Sequence, residues 1–339
     1  MYLGYRNQMM QIKAKIIVAA ILSVLAIPSY AQTLCVFDPL GSSGDNYSFM
    51  KDYELAAKQW GADIDLKPYS DEQLAATDFK SGRCDAVSMT GIRTRLFNNF
   101  VGSIDSAGGV INSEQTKTIV ALMANPRLAQ DMVNNDTEVV GVSSLGSAYV
   151  IVNNRNINSL LRLVDKRFGV LNYDKAIGYI VDRLNGKIVP IELKELGPMF
   201  NAGKLDVIFV PLMAFRPLEL NKGIGTKGAV ARFAAAATTY DILIHPDKFP
   251  EGYGQKSRTW VARQLDRQML EVRKIEQGVD ARYWMELTPT VTPGYYKILR
   301  EARIGLTKDG VYNKKMMGIL KKIRCRQDPT NFECPLTDE

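Results

Sequence analysis

The chain has a single histidine, His245, and four cysteines among its 339 residues. The common zinc motifs need several histidine or cysteine ligands at close spacing, and no C-x-x-C pair is present. A serine hydrolase would need His245 as its base, but the sequence contains no G-x-S-x-G turn, and no partner for His245 is apparent. The sequence therefore predicts a protein that is not an enzyme and has no metal and no cofactor.

The sequence also lacks a clear nucleotide-binding motif. Residues 223–228 match G-x-G-x-x-G, but they follow no clean strand and open no clear helix, so they indicate a flexible loop. The formal net charge of +7 falls by three to +4 once residues 1–31 are removed. The basic residues near the C-terminus fit a solvated helix face. We therefore expect no nucleic-acid partner.

Long apolar runs are absent after residue 31, so this chain alone is expected to be neither a pump nor a channel. The apolar run at residues 16–27 is short for a bilayer span. Three basic residues precede it, and the small residues at 28–31 follow it. This pattern predicts a signal peptide that is cleaved after Ala31, and hence a periplasmic protein; an uncleaved anchor is the alternative.

Four cysteines in an exported chain favour disulfides, and three pairings are possible. Cys325 and Cys334 lie close together in the sequence. Cys35 and Cys84 each fall in a predicted buried strand, and the first and third strands of a doubly wound sheet are commonly neighbours. We predict the pairs Cys35–Cys84 and Cys325–Cys334.

One stretch of the chain occurs twice. Residues 79–87 and 200–208 share the pattern Phe, any, small, Gly, basic, any, Asp, followed by two small or branched apolar residues. Each copy is typical of a helix end with glycine (Gly82, Gly203) in the left-handed conformation, followed by a buried strand. Coincidence is the alternative. The repeat predicts two similarly built α/β lobes with a cleft that grips a small molecule.

Alternation of strands and helices supports the two lobes. We predict strands at 34–37, 63–67, 84–89, 119–123, 168–171, 188–193 and 206–210, with Pro190 confining its strand to a sheet edge. The apolar run at 148–152 is expected to cross between lobes. A long helix at 257–284 is expected to brace them, and helices at 293–302 and 311–326 follow it. The predicted domains are signal peptide 1–31, first lobe 32–150, second lobe 151–215, a return to the first lobe 216–255, and C-terminal helices 256–339.

Ligands of parallel sheets bind at the carboxyl ends of the strands. In the first lobe, the loop at 38–44 leads into a helix that Asp45 can cap, and its free N–H groups favour an anion. An arginine after a strand can hold a carboxylate through two hydrogen bonds. The expected ligand-binding residues are Asp38, Ser42, Ser43, Thr90 and Arg93 in the first lobe, and Asn172, Tyr173 and Arg216 in the second.

The signal peptide, the two α/β lobes and the local features Trp60-Gly61, 82–85 and 100–105 resemble periplasmic solute receptors. The sequence is most similar to the solute-binding subunit of TRAP-type transporters, over about residues 34–244. This resemblance implies a two-lobed fold of the type II-like periplasmic-binding-protein class, which closes on an organic anion and delivers it to an inner-membrane permease. Members of that family usually have an arginine at the position occupied here by Gly169.

The chain also resembles a divergent branch sometimes labelled AdeT-like, an aminoglycoside-efflux component, although nothing in the sequence supports a pump. Two functions remain open. The first is a periplasmic receptor for a small, anionic organic solute. The second is an exported accessory or interaction protein, associated with efflux or antibiotic resistance, that has the same fold but no carboxylate site.

Overall fold

Ten strands form one mixed β-sheet in the computed structural model of the protein, which describes residues 31–339. The signal-peptide prediction falls on residues 1–30 and lies outside this range. Strands β1 to β10 are Gln32–Phe37, Ile64–Tyr69, Ala86–Thr90, Val133–Asn134, Thr137–Val152, Arg167–Leu171, Lys187–Ile191, Val207–Pro211, Ala229–Ile244 and Trp284–Met285. Helices α1 to α12 are Asp45–Lys58, Glu72–Lys80, Gly91–Thr94, Ser113–Leu122, Leu160–Leu163, Lys175–Arg183, Leu193–Asn201, Leu220–Ile224, Tyr253–Arg263, Leu265–Gln277, Thr292–Lys308 and Lys314–Gln327.

The sheet has the order β2-β1-β3-β9-β5-β8-β6-β7, with β4 paired to β5 and β10 to β9. Strand β1 is parallel to β2 and β3, and strand β6 is parallel to β7 and β8. We call β1 to β3 with their helices the first lobe, and β6 to β8 with their helices the second lobe. This arrangement is the two-lobed α/β architecture expected from the sequence. Among residues 31–339, no helix combines the length and apolarity needed to cross a membrane.

Two strands of 16 residues each, β5 and β9, occupy the centre of the sheet and connect the lobes. They pair antiparallel with each other, β9 also pairs with β3, and β5 also pairs with β8. Several register shifts along their ladder mark bulges, which bend a strand and increase its twist. Residues 148–152 are the end of β5 beside β8, so the boundary predicted at residue 150 falls inside this strand. The domain boundaries stay predictions.

The repeated stretch forms the same junction in both lobes. Gly82 has φ of 75° and Gly203 has φ of 68°, so both adopt the left-handed conformation that glycine tolerates. Each follows a helix whose last apolar residue, Phe79 or Phe200, is fully buried. The repeat identified in the sequence is therefore a structural repeat.

The aspartate of each copy fixes the first strand of its lobe. Asp85 Oδ2 accepts a hydrogen bond from the backbone N–H of Thr33 at 2.8 Å, and Asp206 Oδ2 accepts one from that of Arg167 at 2.9 Å. The side chain of Arg167 also bonds both oxygens of Asp206. Although burial opposes ionisation, these hydrogen bonds lower the pKa of Asp206 to about 2. Arg167 therefore lies at the amino end of its strand and has a structural partner.

Both disulfide predictions are confirmed. Cys35 of β1 is bonded to Cys84, which precedes the neighbouring strand β3, and Cys325 of α12 is bonded to Cys334 in the tail. The edge position predicted from Pro190 is also confirmed, because β7 is the last strand of the sheet order. Each disulfide closes a loop and limits the freedom of the unfolded chain.

The strand predicted at 119–123 is wrong, because these residues belong to α4 and its C-terminal cap. The Asn112 side chain accepts a hydrogen bond from the N–H of Gln115 at 2.9 Å and caps this helix. Ile119 and Val120 lie on its buried face. A short apolar run does not distinguish a strand from a buried helix segment, and here the cap decides for the helix.

The single bracing helix predicted at 257–284 is also wrong. Two helices, α9 and α10, occupy this region and are separated at Gln264. Val261 of α9 packs in a core cluster of the first lobe, whereas Ile275 of α10 packs against a cluster of the second lobe. The apolar spacing continues across the break because both helices pack against β5.

Four buried charged side chains anchor the C-terminal segment. Arg303 contacts Glu333 at 2.6 Å and Glu339 at 2.8 Å, and Arg324 contacts them at 3.0 and 2.7 Å. The same arginines donate to backbone carbonyls at residues 107–109. Because every charge has partners, burial of this network is tolerated. The tail is thereby fixed to the segment at residues 107–109.

Candidate functional site

A cavity of about 1160 Å³ lies between the two lobes, at the carboxyl ends of the parallel strands. Strands of both lobes and the central strands β5 and β9 form its walls, and α10 covers one side. Ligand sites typically have volumes of roughly 300–1,000 Å³, so this cavity has ample room for a small molecule. Its polar lining includes Asp38, Asn46, Thr90, Arg95, Asp105, Ser143, Ser144, Asp174, Thr239 and Tyr312.

An alanine run in β9 provides much of this space. Ala235, Ala236 and Ala237 line the cavity, and longer side chains there would compete with a ligand for room. Phe209 of β8 and Ile275 of α10 add apolar surface. The cavity therefore combines an apolar wall with a small number of polar groups near the strand ends.

Arg95 is the arginine of the first lobe whose side chain lines the cavity. Its Nε donates to the Gly102 carbonyl at 2.9 Å, and its Nη1 donates to Asp174 Oδ1 of the second lobe at 3.4 Å. The guanidinium carbon is 5.1 Å from the ring centre of Tyr312. Within residues 31–339, Nη2 makes no hydrogen bond, so this buried guanidinium has a donor left for an anion.

Asp105 is the second charged group in the depth of the cavity. Its Oδ1 accepts from the Thr239 hydroxyl at 3.0 Å, and its Oδ2 accepts from the Thr239 backbone N–H at 3.2 Å. Burial raises the pKa of Asp105 to about 7, although the charge of Arg95 and the hydrogen bonds from Thr239 oppose this shift. The carboxyl group therefore titrates near neutral pH.

Asp38 lines the cavity and caps helix α1. Its carboxylate accepts from the backbone N–H groups of Asn46 at 2.9 Å and Tyr47 at 3.3 Å. A Cβ at Gly44 would lie 1.8 Å from the Asp38 carboxylate, so this close approach requires glycine. The prediction of an Asp45 cap with free N–H groups for an anion is wrong, because the Asp38 carboxylate already occupies them.

Three residues, which we call the interlobe cluster, join the lobes beside the cavity. Glu72 of the first lobe accepts from the Tyr173 hydroxyl of the second lobe at 2.7 Å and from Arg93 Nε at 3.3 Å. The Arg93 guanidinium lies 3.4 Å from the ring centre of Tyr173, a cation–π contact. Burial and the adjacent Glu72 carboxylate raise the pKa of Tyr173 well above its usual value, so its hydroxyl donates at neutral pH.

Further polar contacts surround the interlobe cluster. Lys194 of the second lobe contacts Asp71 of the first lobe at 2.7 Å. Asn172 donates to Glu192 at 2.8 Å, and the other carboxylate oxygen of Glu192 is 3.9 Å from Arg93 Nη2. These exposed or half-exposed contacts add less than the buried cluster does, because water screens them.

The structure brings two of the eight expected ligand-binding residues to the cavity wall, Asp38 and Thr90. Arg93 and Tyr173 belong to the interlobe cluster, and Asn172 contacts Glu192. Three residues are exposed and are not among those lining the cavity: Ser42, Ser43 and Arg216. The ligand roles of all eight stay predictions.

Three further residues line the cavity and are not among the eight expected ligand-binding residues: Arg95, Asp105 and Asp174. Arg95 lies two residues after Arg93, and Asp105 is the last residue of the 100–105 segment that carries the family resemblance. The chain turns through α3 directly after Thr90. Because of this turn, Arg93 faces the second lobe at Tyr173, whereas Arg95 faces the cavity.

Gly169 of β6 lines the cavity and has no side chain where the TRAP resemblance implies an arginine. A Cβ there would lie 2.8 Å from Leu205 Cδ1, 3.1 Å from Ile191 Cδ1 and 3.5 Å from Ile208 Cγ2. These apolar side chains fill the region next to the strand. A carboxylate partner in this protein must therefore come from another residue.

Two α/β lobes around a cleft of this kind define the periplasmic-binding-protein fold. A TRAP periplasmic solute-binding protein from Desulfovibrio salexigens, solved with orotic acid, superposes with a TM-score of 0.70 at 12% identity, covering 88% of this chain and 99% of that one. A TRAP protein from Anaerococcus prevotii, solved with D-glucuronate, gives 0.70 at 14% identity, covering 88% and 100%. At these identities the likeness establishes the fold.

The model of the family described as "Solute-binding protein AdeT 1/2" matches residues 54–339, so the chain belongs to this family. The probable solute-binding protein AdeT1 of Acinetobacter baumannii is 44% identical over 304 residues, which cover 90% of this chain and all of that protein. AdeT2 of the same organism is 26% identical over 239 residues, covering 70% and 100%. In the part of the chain that the structure describes, no cluster of histidine, cysteine or acidic residues is suited to bind a metal ion.

Proposed function

We propose that this protein is a periplasmic receptor that binds a small organic acid between its lobes and delivers it to a permease of the inner membrane. The observation that carries the proposal is the Arg95 guanidinium, which faces a roomy cavity from a buried position. Family membership and the organic acids named for structures with the same fold support it. No catalytic role is assigned to any residue.

In this proposal the carboxylate of the solute binds Arg95, whereas the sequence suggested Arg93 or Arg216. Arg93 contacts Glu72, Gln73 and Tyr173, and it is not among the residues that line the cavity, although its buried Nη2 has no hydrogen-bond partner within residues 31–339. Arg95 lines the cavity and contacts Asp174 of the second lobe. Closure of the lobes then places the bound acid between Arg95 and the walls of β5 and β9.

The test is binding of an acid panel to mature protein, measured by thermal shift and then by calorimetry. Ligand that binds the native state raises the melting temperature. We expect at least one carboxylate to bind and Arg95→Gln to weaken it by about tenfold to a hundredfold, the loss typical of a charged hydrogen bond. Arg216→Gln is the matched control and leaves affinity unchanged. Equal loss in both variants, or none in either, contradicts the role of Arg95.

Export is tested separately. Mature protein from the periplasmic fraction is expected to begin at Gln32, because Ala31 and the small residues before it form the predicted cleavage site. Mass spectrometry of the intact protein measures this directly. A mass that includes residues 1–31 contradicts cleavage and favours an anchored form.

The second candidate is an exported accessory protein that has retained the fold and lost solute binding. Gly169 favours it, because TRAP receptors usually have an arginine at this position to hold the carboxylate of the solute. The same screen separates the candidates. Absence of binding across acids, amino acids, sugars and polyamines supports the accessory protein, and micromolar binding of one solute excludes it.

A further inference from the structure

Arg95 does not face the cavity as an isolated positive charge. Asp174 Oδ1 lies 3.4 Å from its Nη1. The same oxygen accepts hydrogen bonds from the backbone N–H groups of Ala176 and Ile177, which caps helix α6. Asp174 is 5% exposed and is fixed in place by these donors. The charge of Arg95 is therefore already balanced by a carboxylate that belongs to the fold.

Asp105 adds a second carboxyl group to the same end of the cavity. Both hydrogen bonds to its carboxyl group come from Thr239, which is neutral. The positive charge near Asp105 is Arg95, and Arg95 also contacts Asp174. The carboxyl of Asp241, two residues beyond Thr239 in β9, is fully buried and does not line the cavity, and burial raises its pKa well above the usual value, so it stays protonated and adds no charge. The cavity lining around Arg95 thus holds two carboxyl groups, those of Asp105 and Asp174, for one guanidinium.

A simple organic acid bound to Arg95 would place another negative charge beside these carboxyl groups. Repulsion between like charges is strong where water is excluded, because the local dielectric constant is low. A cationic group on the solute offsets this repulsion because it forms an ion pair with Asp105, while the carboxylate of the same solute binds Arg95.

We propose that the solute is amphoteric: its carboxylate binds Arg95 and its ammonium group binds Asp105. This inference rests on the proposed function and narrows its substrate class to amino acids and related amino-carboxylates. The alanine run of β9, with Phe209 and Ile275, leaves the rest of the cavity for an apolar body. An amino acid with a large apolar side chain fits this description.

The test compares matched solutes that share one carbon skeleton. The 2-amino, 2-hydroxy and 2-oxo acids of aromatic, branched and short skeletons are titrated into mature protein at pH 7.5 by calorimetry, together with the amines that lack the carboxylate. We expect the amino acid of at least one skeleton to bind about ten times more tightly, or better, than its hydroxy and oxo counterparts. The amine alone is expected to bind weakly, because it lacks the carboxylate that binds Arg95.

Asp105→Asn supplies the second measurement. The variant keeps the shape of the side chain and removes its charge, so the preference for the amino acid should disappear and the hydroxy acid should bind at least as well as before. Asp247→Asn, a change at an exposed aspartate, is the matched control and keeps the preference. A melting curve of each variant confirms that it is folded.

The outcomes separate this inference from the proposed function. Tighter binding of hydroxy or oxo acids than of amino acids overturns the amphoteric solute and leaves the acid receptor standing. Titrations in buffers of different ionisation enthalpy can show uptake of about one proton per bound acid; Asp105 is then neutralised by a proton and the inference also fails. Absence of binding by any acid, amino or otherwise, overturns the proposed function itself.

Discussion

Replacement of Tyr173 by phenylalanine tests whether the interlobe cluster holds the two lobes together. The change removes the hydroxyl that donates to Glu72 across the lobes at 2.7 Å. The ring that stacks on the Arg93 guanidinium remains. Glu72 is 2% exposed and keeps two donors, Arg93 Nε and the backbone N–H of Thr90, both in its own lobe. The substitution therefore removes a hydrogen bond between the lobes and leaves those within the first lobe in place.

The size of the effect follows from the charge and burial of Glu72. A hydrogen bond to a charged group contributes about 1.5–3 kcal/mol. Because an open protein exposes Glu72 to water, this energy belongs to the closed form alone. The ratio of closed to open protein should fall by about tenfold to a hundredfold, since each 1.4 kcal/mol changes an equilibrium constant tenfold. Because the solute binds the closed form, its affinity should fall by no more than this factor.

Small-angle scattering of the solute-free protein measures the opening, and calorimetry measures the affinity. We expect the radius of gyration of Tyr173→Phe to increase and the affinity for the bound solute to fall. Tyr179→Phe is the matched control, because the Tyr179 hydroxyl accepts from Arg183 on the same helix of the same lobe. The control should keep the scattering profile of the wild type.

An unchanged radius of gyration together with an unchanged affinity would refute the reasoning. The interlobe cluster would then contribute nothing to closure. A lower affinity without any opening would indicate a direct contact between Tyr173 and the solute, the role first predicted from the sequence.

Two further predictions concern stability. Burial raises the pKa of Asp241 well above its usual value, so above about pH 4 the native state retains a proton that the unfolded chain releases, and stability falls as pH rises. Asp241→Asn should weaken this decline and be the more stable protein at pH 7; equal slopes of denaturation midpoint against pH would contradict this. Deletion of Glu339 leaves Arg303 and Arg324 with one buried carboxylate, Glu333, and should cost about 3 kcal/mol in denaturant unfolding. An unchanged midpoint would show that the network does not stabilise the tail.

Local features of the fold could be predicted from the sequence because short-range chemistry determines them. Gly82 and Gly203 adopt the left-handed conformation at both copies of the repeat, and Pro190 lies on an edge strand. Residues 119–123 were misassigned because their apolar run suits both a strand and a buried helix. The Asn112 cap decides between them.

The site was harder to predict, because it depends on where the chain turns after each strand. Arg93 and Arg95 lie two residues apart in the same loop, yet one contacts Tyr173 and the other lines the cavity. Their directions depend on the single turn of α3 and on the approach of the second lobe. The periodicity of the sequence predicts neither the turn of α3 nor the approach of the second lobe. The partnership of Asp105 with Thr239 likewise joins segments 134 residues apart.

Strands β5 and β9 have a consequence for how the protein can be divided. The strands of both lobes pair with the same antiparallel ladder of β5 and β9. Neither lobe can therefore form all the backbone hydrogen bonds of its sheet by itself. A fragment that contains one lobe would expose the edge of a 16-residue strand, and such edges promote aggregation. Engineered sensors should therefore place reporters on surface loops of the intact chain, and the two lobes should unfold in one cooperative transition.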